Sequence, residues 1–238
     1  MERLANRLLS TGPVGGKKKI ELYYDIISPY TWFAFEVLMR YRKHWNVDVQ
    51  LKPMLLGGVA KASGNKAPML VPNKALYMTK DLTRNAAYFN VPLKLVTNAF
   101  DLILVKGSLI PSRFITSVDL LYPAHLEAVS RALWMEVWNK DQDFTTPEVL
   151  AQAGRTAGLM ETQIAQIQAH MKQQVTKDRL KAYTDEAINH GAFGSPTIVA
   201  YVQGEPMLFF GSDRFPVLAQ EIGEKWLGPE PDAQISKL

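Results

Sequence analysis

Ser28 is the residue of this chain whose type and position are best suited to bind a small ligand. It directly precedes Pro29, and serine is a preferred N-cap while proline suits the first position of a helix. A hydroxyl there points, with the N–H groups of the first helical turn, beyond the end of the preceding strand. Open α/β sheets bind ligands at that end, and a helix N-terminus attracts anions. Ser28 is therefore a candidate site residue, although helix capping alone would also explain it.

A second candidate segment is Gly194-Ser195-Pro196, which directly precedes a predicted strand. Proline cannot donate a hydrogen bond to a sheet, so Pro196 must lie at the start of that strand. A proline at this place, beside a strand-to-helix turn, is where thioredoxin-like proteins carry a cis-proline. The backbone of the residue before it, here Ser195, can then pair with an extended peptide.

Several other kinds of site are excluded or unsupported. The chain has no cysteine, which excludes a disulfide framework, a cysteine nucleophile, Cys-ligated zinc and a CxxC redox centre. It contains neither a G-x-G-x-x-G motif nor a P-loop, and it lacks a G-x-S-x-G nucleophile motif. Its histidines show no metal-ligand spacing, so we predict no metal site and expect surface or helix-end positions for His44, His125, His170 and His190.

The elements that would position these residues follow an α/β order. The chain begins as strand, helix and strand, passes through a long helical block, and ends as helix, two strands and helix. A strand, a helix and a strand within so few residues predict parallel strands with a right-handed crossover. The predicted elements are a strand at 19–24, a helix at 29–44, a strand at 47–51, a loop at 57–72, helices between 74 and 190, strands at 197–202 and 207–210, and a final helix.

Five segments, taken in order, resemble the kappa class of glutathione transferases, a family with a thioredoxin-like, DsbA-type fold. The resemblance covers nearly the whole chain after its first residues. The segments are DIISPYTW at 25–32, SGNK at 63–66, YTDEAINHGAFGSP at 183–196, FGSDR at 210–214 and GEKW at 223–226.

The resemblance implies an α/β fold in which a thioredoxin-like domain is interrupted by an all-helical insertion domain. This layout agrees with the order of the predicted elements. It divides the chain into an N-terminal extension (1–17), a thioredoxin-like glutathione-binding domain (18–75 and 186–238) and a helical insertion domain (76–185). It also implies a homodimer found in peroxisomes and mitochondria, with a role in detoxification.

The resemblance further implies glutathione contacts for nine residues. Ser28 would be the catalytic residue, whose hydroxyl donates to the glutathione sulfur, and Pro29 and Tyr30 would complete the turn on the sulfur side. The backbone of Ser195 would pair with the cysteinyl portion of the tripeptide. The nine residues are Ser28, Pro29, Tyr30, Asn65, Lys74, Ser195, Pro196, Ser212 and Asp213.

The remaining implied contacts hold the ends of the tripeptide. Ser212 and Asp213 would bind the γ-glutamyl end, where an α-ammonium group needs an acidic partner and an α-carboxylate needs donors. Asn65 would bind the tripeptide, and Lys74 is a candidate partner for the glycyl carboxylate. Ser195 stands where some relatives have leucine, which affects only the role of its side chain because the contact is through the backbone.

The expected mechanism rests on the acidity of a thiol. A free thiol with a pKa of about 8.5 is only a few per cent ionised at neutral pH. A hydroxyl donor and a helix N-terminus favour the thiolate, so Ser28 would act as a donor and not as a nucleophile. The thiolate of glutathione, a co-substrate and not a cofactor, would attack a small electrophile or reduce a peroxide. Thr31 is either a spare donor or an ordinary residue of the first helical turn.

Two other functions are compatible with the same resemblance. A glutathione-dependent isomerase of the 2-hydroxychromene-2-carboxylate type shares the fold and the serine turn, and would regenerate its glutathione. A non-catalytic thioredoxin-like binding or chaperone module would keep the fold alone. A DsbA-type disulfide oxidoreductase requires cysteines, which this chain lacks.

The basic charge of the chain is confined to its start. There are 27 Lys and Arg residues against 23 Asp and Glu, a net charge of +4. The first 19 residues hold five of the basic residues and only Glu2 as an acid, so they carry the whole excess. The rest offers no surplus to neutralise phosphates, and we expect no nucleic-acid partner. No apolar run approaches the 18 residues of a membrane span.

Both ends of the chain resemble targeting signals. Residues 1–10 place Leu4, Leu8 and Leu9 on one helical face, which is typical of an organellar transit segment or else part of a disordered extension. The chain ends in Ser236, Lys237 and Leu238, the S-K-L address read by the peroxisomal import receptor. We therefore expect a peroxisomal location and, through the first segment, a mitochondrial one.

Overall fold

A four-stranded mixed sheet joins the two ends of the described chain. The structure is a computed structural model and describes residues 16–235; the predicted transit segment and the S-K-L tripeptide lie outside this range. The strand order is β2-β1-β3-β4, with β1 parallel to β2 and β3 antiparallel to both of its neighbours. The strands are β1 (Lys18–Tyr24), β2 (Val47–Pro53), β3 (Thr197–Val202) and β4 (Glu205–Phe210). The predicted βαβ unit and hairpin are confirmed.

The helices follow the predicted order, with a long helical block between β2 and β3. None of those in residues 16–235 is long and apolar enough to cross a membrane. The division into domains at residues 75 and 186 stays a prediction. The helices are α1 (Pro29–Tyr41), α2 (Leu56–Ser63), α3 (Pro72–Tyr88), α4 (Leu109–Leu121), α5 (Leu126–Trp138), α6 (Pro147–Thr156), α7 (Glu161–His170), α8 (Gln174–Asn189), α9 (Phe215–Glu221) and α10 (Pro231–Ile235), with a π-helical turn at Asp101–Lys106 and 3-10 turns at Pro68–Leu70 and Pro123–His125.

The strand register brings three chain segments to one edge of the sheet. Near the end of β1, Tyr23 is opposite Thr197, the first residue of β3. Thr197 is in turn opposite Phe210, the last residue of β4. The segments after β1, before β3 and after β4 therefore meet at this edge.

Helix α1 is buried on most of its surface because α5 of the helical block covers it. Phe35 of α1 packs against Trp134 of α5 with ring centroids 4.8 Å apart, and Trp32 stacks on the same ring at 6.5 Å. Burial of one such aromatic side chain stabilises the fold by about 1.5–3 kcal/mol. The apolar stripe predicted for α5 is buried, as expected, and consists of Leu126, Val129, Leu133 and Val137.

The loop expected at residues 57–72 is wrong, because its first half forms α2 and a 3-10 turn follows at Pro68–Leu70. Of the glycines that suggested a loop, Gly58 serves packing and Gly64 ends α2 in the left-handed conformation. A Cβ at Gly58 would lie 3.0 Å from Cγ2 of Thr184 in α8, so glycine permits the close approach of the two helices.

The N-terminus of α2 is held by side chains from distant segments. The N–H of Leu55 donates to Oγ1 of Thr184 at 3.0 Å, and the N–H of Leu56 donates to Oδ2 of Asp25 at 2.8 Å. No side chain of the local sequence caps this helix. Tertiary hydrogen bonds therefore supply the start signal that the sequence lacks.

A buried carboxylate, Glu21, organises the face of the sheet that packs against α8. Its side chain is 1% exposed. Its Oε1 accepts hydrogen bonds from Nζ of Lys19 at 2.8 Å and of Lys52 at 2.7 Å. Its Oε2 accepts from the hydroxyls of Tyr23 at 2.9 Å and Tyr201 at 3.2 Å. Burial opposes ionisation of Glu21, but these hydrogen bonds outweigh it and hold its pKa at about 2.

The same network contains the three residues whose ligand atoms could together contact one cation, namely Glu21, Glu186 and His190. The ammonium group of Lys52 already bridges the two carboxylates, at 2.7 Å from Glu21 and 2.6 Å from Glu186. The cluster is thus an ion-pair network that neutralises its own buried charge.

This network predicts a loss of stability in acid. Because the folded-state pKa of Glu21 is about 2, below its usual value of 4.5, the stabilisation is complete above pH 4.5 and is lost as the pH falls toward 2. Between pH 6 and pH 3 we expect the difference in free energy of unfolding between the wild type and Glu21→Gln to shrink by about 2 kcal/mol, as measured by urea unfolding. Glu205→Gln, at an exposed position, is the control, and its difference from the wild type should not change with pH in this way. If the difference between the wild type and Glu21→Gln stayed the same from pH 6 to pH 3, the role of the network would be contradicted.

Candidate functional site

Ser28 lies just beyond the end of β1 and caps α1, as predicted. Its Oγ accepts a hydrogen bond from the N–H of Thr31 at 3.3 Å, and its hydroxyl donates to the carbonyl of Ser195 at 3.2 Å. Its own N–H donates to the carbonyl of Asp25 at 3.1 Å, which closes the turn. Ser28 is 7% exposed. One oriented hydroxyl therefore lies between the helix N-terminus and the segment that precedes β3.

The Ser28 turn is supported from α5. The indole N–H of Trp134 donates to the carbonyl of Ser28 at 3.3 Å, and that of Trp138 donates to the carbonyl of Ile26 at 3.1 Å. Both rings are almost fully buried. Two rigid side chains of the helical block thereby fix the backbone on which the Ser28 hydroxyl depends.

The Ser195–Pro196 peptide is cis, as expected from its place before β3. Oγ of Ser195 is 2.7 Å from Oγ1 of the buried Thr31, so these two hydroxyls form a hydrogen bond beside Ser28. In the part of the chain that the structure describes, the N–H of Ser195 has no hydrogen-bond partner. The site thus presents a free backbone N–H donor at Ser195. The hydroxyl of Thr31 contacts the side chain of Ser195.

Asn65 is the residue that links the segment after α2 to the segment before β3. Its Nδ2 donates to the carbonyl of Phe193 at 2.6 Å, and its Oδ1 accepts from the N–H of Lys66 at 2.8 Å. Next to Phe193, a Cβ at Gly194 would lie 2.7 Å from a ring atom of Phe210, so glycine there permits the close approach of that ring. Asn65 is exposed, so its side chain lies at the open side of the site.

The segment after β4 lies against the same cis-proline. The N–H of Gly211 donates to the carbonyl of Pro196 at 3.2 Å. Gly211 has φ +104°, and a Cβ there would be 2.7 Å from Oδ1 of Asp213, so only glycine fits. Ser212 is buried, whereas Asp213 is exposed and pairs with Arg214 at 3.1 Å. An accessible carboxylate is therefore held at the sheet edge.

Tyr30 connects the site to α3, the helix on which Lys74 lies. The Tyr30 hydroxyl donates to Oδ2 of Asp81 at 2.8 Å, and Tyr77 donates to the other carboxylate oxygen at 3.1 Å. Burial and the contact with Asp81 raise the pKa of Tyr30. Lys74 is exposed two helical turns before Asp81, about 10 Å along α3. No described contact joins Lys74 to another predicted site residue.

Asp25 is a buried residue of this region to which the sequence analysis assigned no role. It is 2% exposed, and its carboxylate accepts hydrogen bonds from three donors. These are the N–H of Ile27 at 3.1 Å, the N–H of Leu56 at 2.8 Å and the hydroxyl of Ser108 at 2.6 Å. Burial outweighs these bonds and raises the pKa of Asp25. Its position directly after a strand and three residues before Ser28 was the available signal.

The arrangement favours binding of an extended, peptide-like anion. It offers the Ser28 hydroxyl and the N-terminus of α1 for a negative atom, the free N–H of Ser195 for a backbone, and the carboxylate of Asp213 for a cationic end. The chain itself contains no thiol. The site therefore supplies donors that stabilise charge on a bound molecule.

Comparison with known proteins places the chain in a family. The family model described as DSBA-like thioredoxin domain matches residues 19–223. Glutathione S-transferase kappa 1 of Homo sapiens is 42% identical over 221 residues, which cover 93% of this chain and 98% of that protein. Its counterpart in Rattus norvegicus is 40% identical over 219 residues, with coverage of 92% and 97%. The resemblance stated from the sequence is confirmed.

Solved structures show the same fold at low sequence identity. A 2-hydroxychromene-2-carboxylate isomerase has a TM-score of 0.69 at 20% identity, covering 86% of this chain and 94% of that one. A putative protein disulfide isomerase from Nitrosomonas europaea has a TM-score of 0.64 at 16% identity, with coverage of 87% and 96%. The predicted fold class is confirmed, and these two likenesses concern the fold alone.

Proposed function

The chain belongs to the DSBA-like thioredoxin domain family and, within it, to the glutathione S-transferase kappa family, and on that premise we propose that the Ser28 hydroxyl stabilises the thiolate of bound glutathione. The transferase class and glutathione as co-substrate follow from the family. The observation that carries the mechanism is the position of the Ser28 hydroxyl. It is an oriented donor at the N-terminus of α1, 3.2 Å from a backbone carbonyl that a ligand could replace as its acceptor.

Glutathione would lie along the sheet edge as an extended peptide. The free N–H of Ser195 would pair with the cysteinyl portion, as in the addition of a strand to an open backbone. Asp213 would receive the γ-glutamyl ammonium group, with Ser212 as a donor to the carboxylate beside it. Asn65 would contact the peptide from the open side, and Lys74 would attract the glycyl carboxylate.

The reaction would proceed by loss of the thiol proton to solvent and attack of the thiolate on an electrophilic carbon. A carbon–sulfur bond forms as the leaving group departs with its electron pair. Ser28 keeps its proton and donates a hydrogen bond to sulfur, so it raises the thiolate fraction at neutral pH. With a hydroperoxide as electrophile, the same thiolate would attack oxygen, and a second glutathione would complete the reduction.

Calorimetry with reduced glutathione tests this proposal most directly. We expect saturable binding to the full chain at millimolar glutathione or below, together with an absorbance change of the bound thiolate that titrates below the ordinary thiol pKa. Absence of binding would favour a non-catalytic module.

Conversion of a chlorinated aromatic with equal consumption of glutathione would identify a transferase, whereas an isomerase would return its glutathione.

Asn65→Ala tests the proposed contact with the tripeptide. The variant loses the hydrogen bond to the carbonyl of Phe193 and a polar contact to the ligand, so we expect the KM for glutathione to rise about tenfold with little change in kcat. Because Asn65 is exposed, the free energy of unfolding should change by less than about 1 kcal/mol. Asn73→Ala, at an exposed position on α3, is the control. An unchanged KM would remove Asn65 from the binding site.

Assembly and location complete the proposal. As the resemblance implies, the protein would form a homodimer, which sedimentation of the purified chain would detect.

The Ser236-Lys237-Leu238 tripeptide would direct the protein to peroxisomes, and the first residues would direct it to mitochondria. A fluorescent protein fused to the N-terminus should enter peroxisomes, and removal of Leu238 should abolish that import.

A further inference from the structure

A cavity of about 270 Å³ lies between α2, α4 and α8, away from the nine residues proposed to bind glutathione. Its apolar wall includes Leu55, Leu109, Leu180 and Ile188. Drug-sized ligands occupy pockets of about 300–1,000 Å³, so this cavity fits a somewhat smaller molecule.

The charged groups that line the cavity are mostly cationic. Arg113 comes from α4, while Lys177 and Lys181 lie one turn apart on α8. The one carboxylate of the lining, Asp185, pairs with Lys181. Across the described residues, Arg113 and Lys177 have no ion-pair partner. Two half-buried cations therefore line a mainly apolar cavity without an ion-pair partner among the described residues.

Arg113 has a side-chain donor that no group of the described chain satisfies. Its Nε is buried, and no acceptor for it exists within residues 16–235. A buried donor without a partner costs about 1–3 kcal/mol, and a guanidinium group pairs most strongly with the two oxygens of a carboxylate. A carboxylate bound in the cavity would give the guanidinium group of Arg113 an acceptor and supply a counter-charge for both cations.

We propose that this cavity binds a small amphipathic carboxylate, with its charged group on Arg113 and Lys177 and its apolar body against the leucine and isoleucine wall. The occupant is a carboxylate of medium size, because the lining combines one apolar wall with two cations that lack an ion-pair partner among the described residues. The proposal is independent of glutathione binding, since none of the residues that line the cavity belongs to the proposed glutathione site.

Octanoate is a suitable probe of this class, and octanamide is its uncharged counterpart. By calorimetry on the full chain at pH 7, we expect octanoate to bind with a submillimolar Kd and octanamide to bind at least tenfold more weakly. Saturating glutathione should leave the Kd of octanoate unchanged. Failure of octanoate to bind at millimolar concentration, equal binding of the amide, or competition with glutathione would each overturn the proposal.

Substitutions assign the binding to this cavity. Arg113→Met and Lys177→Met keep an apolar stem and remove the charge, so each should weaken octanoate binding at least tenfold. Lys172→Met, at an exposed position outside the cavity, is the matched control and should bind as the wild type does. Thermal unfolding without ligand verifies that each variant folds. Wild-type affinity in both cavity variants would refute the assignment, whatever the outcome of the glutathione experiments.

Discussion

Ser28→Ala is expected to raise the pKa of the bound glutathione thiol by about 1–2 units and to slow conjugation at pH 7 about 10- to 100-fold. The variant loses the hydroxyl that lies at the N-terminus of α1 and donates to the carbonyl of Ser195 at 3.2 Å. A charge-assisted hydrogen bond contributes about 1.5–3 kcal/mol, which corresponds to that range. The rate should recover as the pH rises, because more of the thiol then ionises without help.

The control for this experiment is Thr146→Ala. Thr146 caps α6 as Ser28 caps α1: its Oγ1 accepts from the N–H of Val149 at 3.4 Å, and a proline follows it. Both variants should lose about 1 kcal/mol of stability with the cap. Only Ser28→Ala should change the ultraviolet titration of the bound thiol. Equal thiol pKa values in the wild type and in Ser28→Ala would show that Ser28 is a cap and nothing more.

The elements that the sequence predicted well are those whose signals are local. The Ser28-Pro29 and Thr146-Pro147 pairs mark the starts of α1 and α6, since an N-cap bond spans only three residues. The β-branched residues of β3 likewise lie within six residues. By contrast, α2 has no cap of its own, and its start depends on Asp25 and Thr184. Its glycines therefore predicted a loop.

In the candidate site, too, the sequence predicted the local elements but not the contacts between residues that are remote in the chain. Strand order places the segments around Ser28, Ser195 and Ser212 at one edge. The predicted βαβ unit and hairpin account for the pairs β1–β2 and β3–β4, whereas the pairing of β1 with β3 was implied only by the thioredoxin-like resemblance. The hydrogen bonds that orient them did not follow, because their partners are remote in sequence. Ser28 and Ser195 are separated by 167 positions. No local pattern indicates that Thr31 meets Ser195, or that Tyr30 meets Asp81.

Asp25 is the clearest case of a residue whose importance arises only in three dimensions. Asp25→Leu should lower the free energy of unfolding by about 3 kcal/mol or more, because it leaves the buried N–H groups of Ile27 and Leu56 and the hydroxyl of Ser108 without an acceptor. Ser108→Ala removes one donor and keeps the carboxylate, so it should cost only about 1 kcal/mol. Urea unfolding at pH 7 measures both.

The pH dependence of the same variants separates charge from hydrogen bonding. Burial raises the folded-state pKa of Asp25 above its usual 3.8, so its contribution to stability is complete below pH 3.8 and declines as the pH rises through the folded-state value. Asp25→Asn keeps one acceptor oxygen and carries no charge. Relative to the wild type it should therefore be most destabilised near pH 3.5 and less so at pH 7. If the difference in free energy of unfolding between the wild type and Asp25→Asn grew toward pH 7, the ionised carboxylate would be net stabilising. The Ser28 turn would then depend on a buried charge and not on geometry alone.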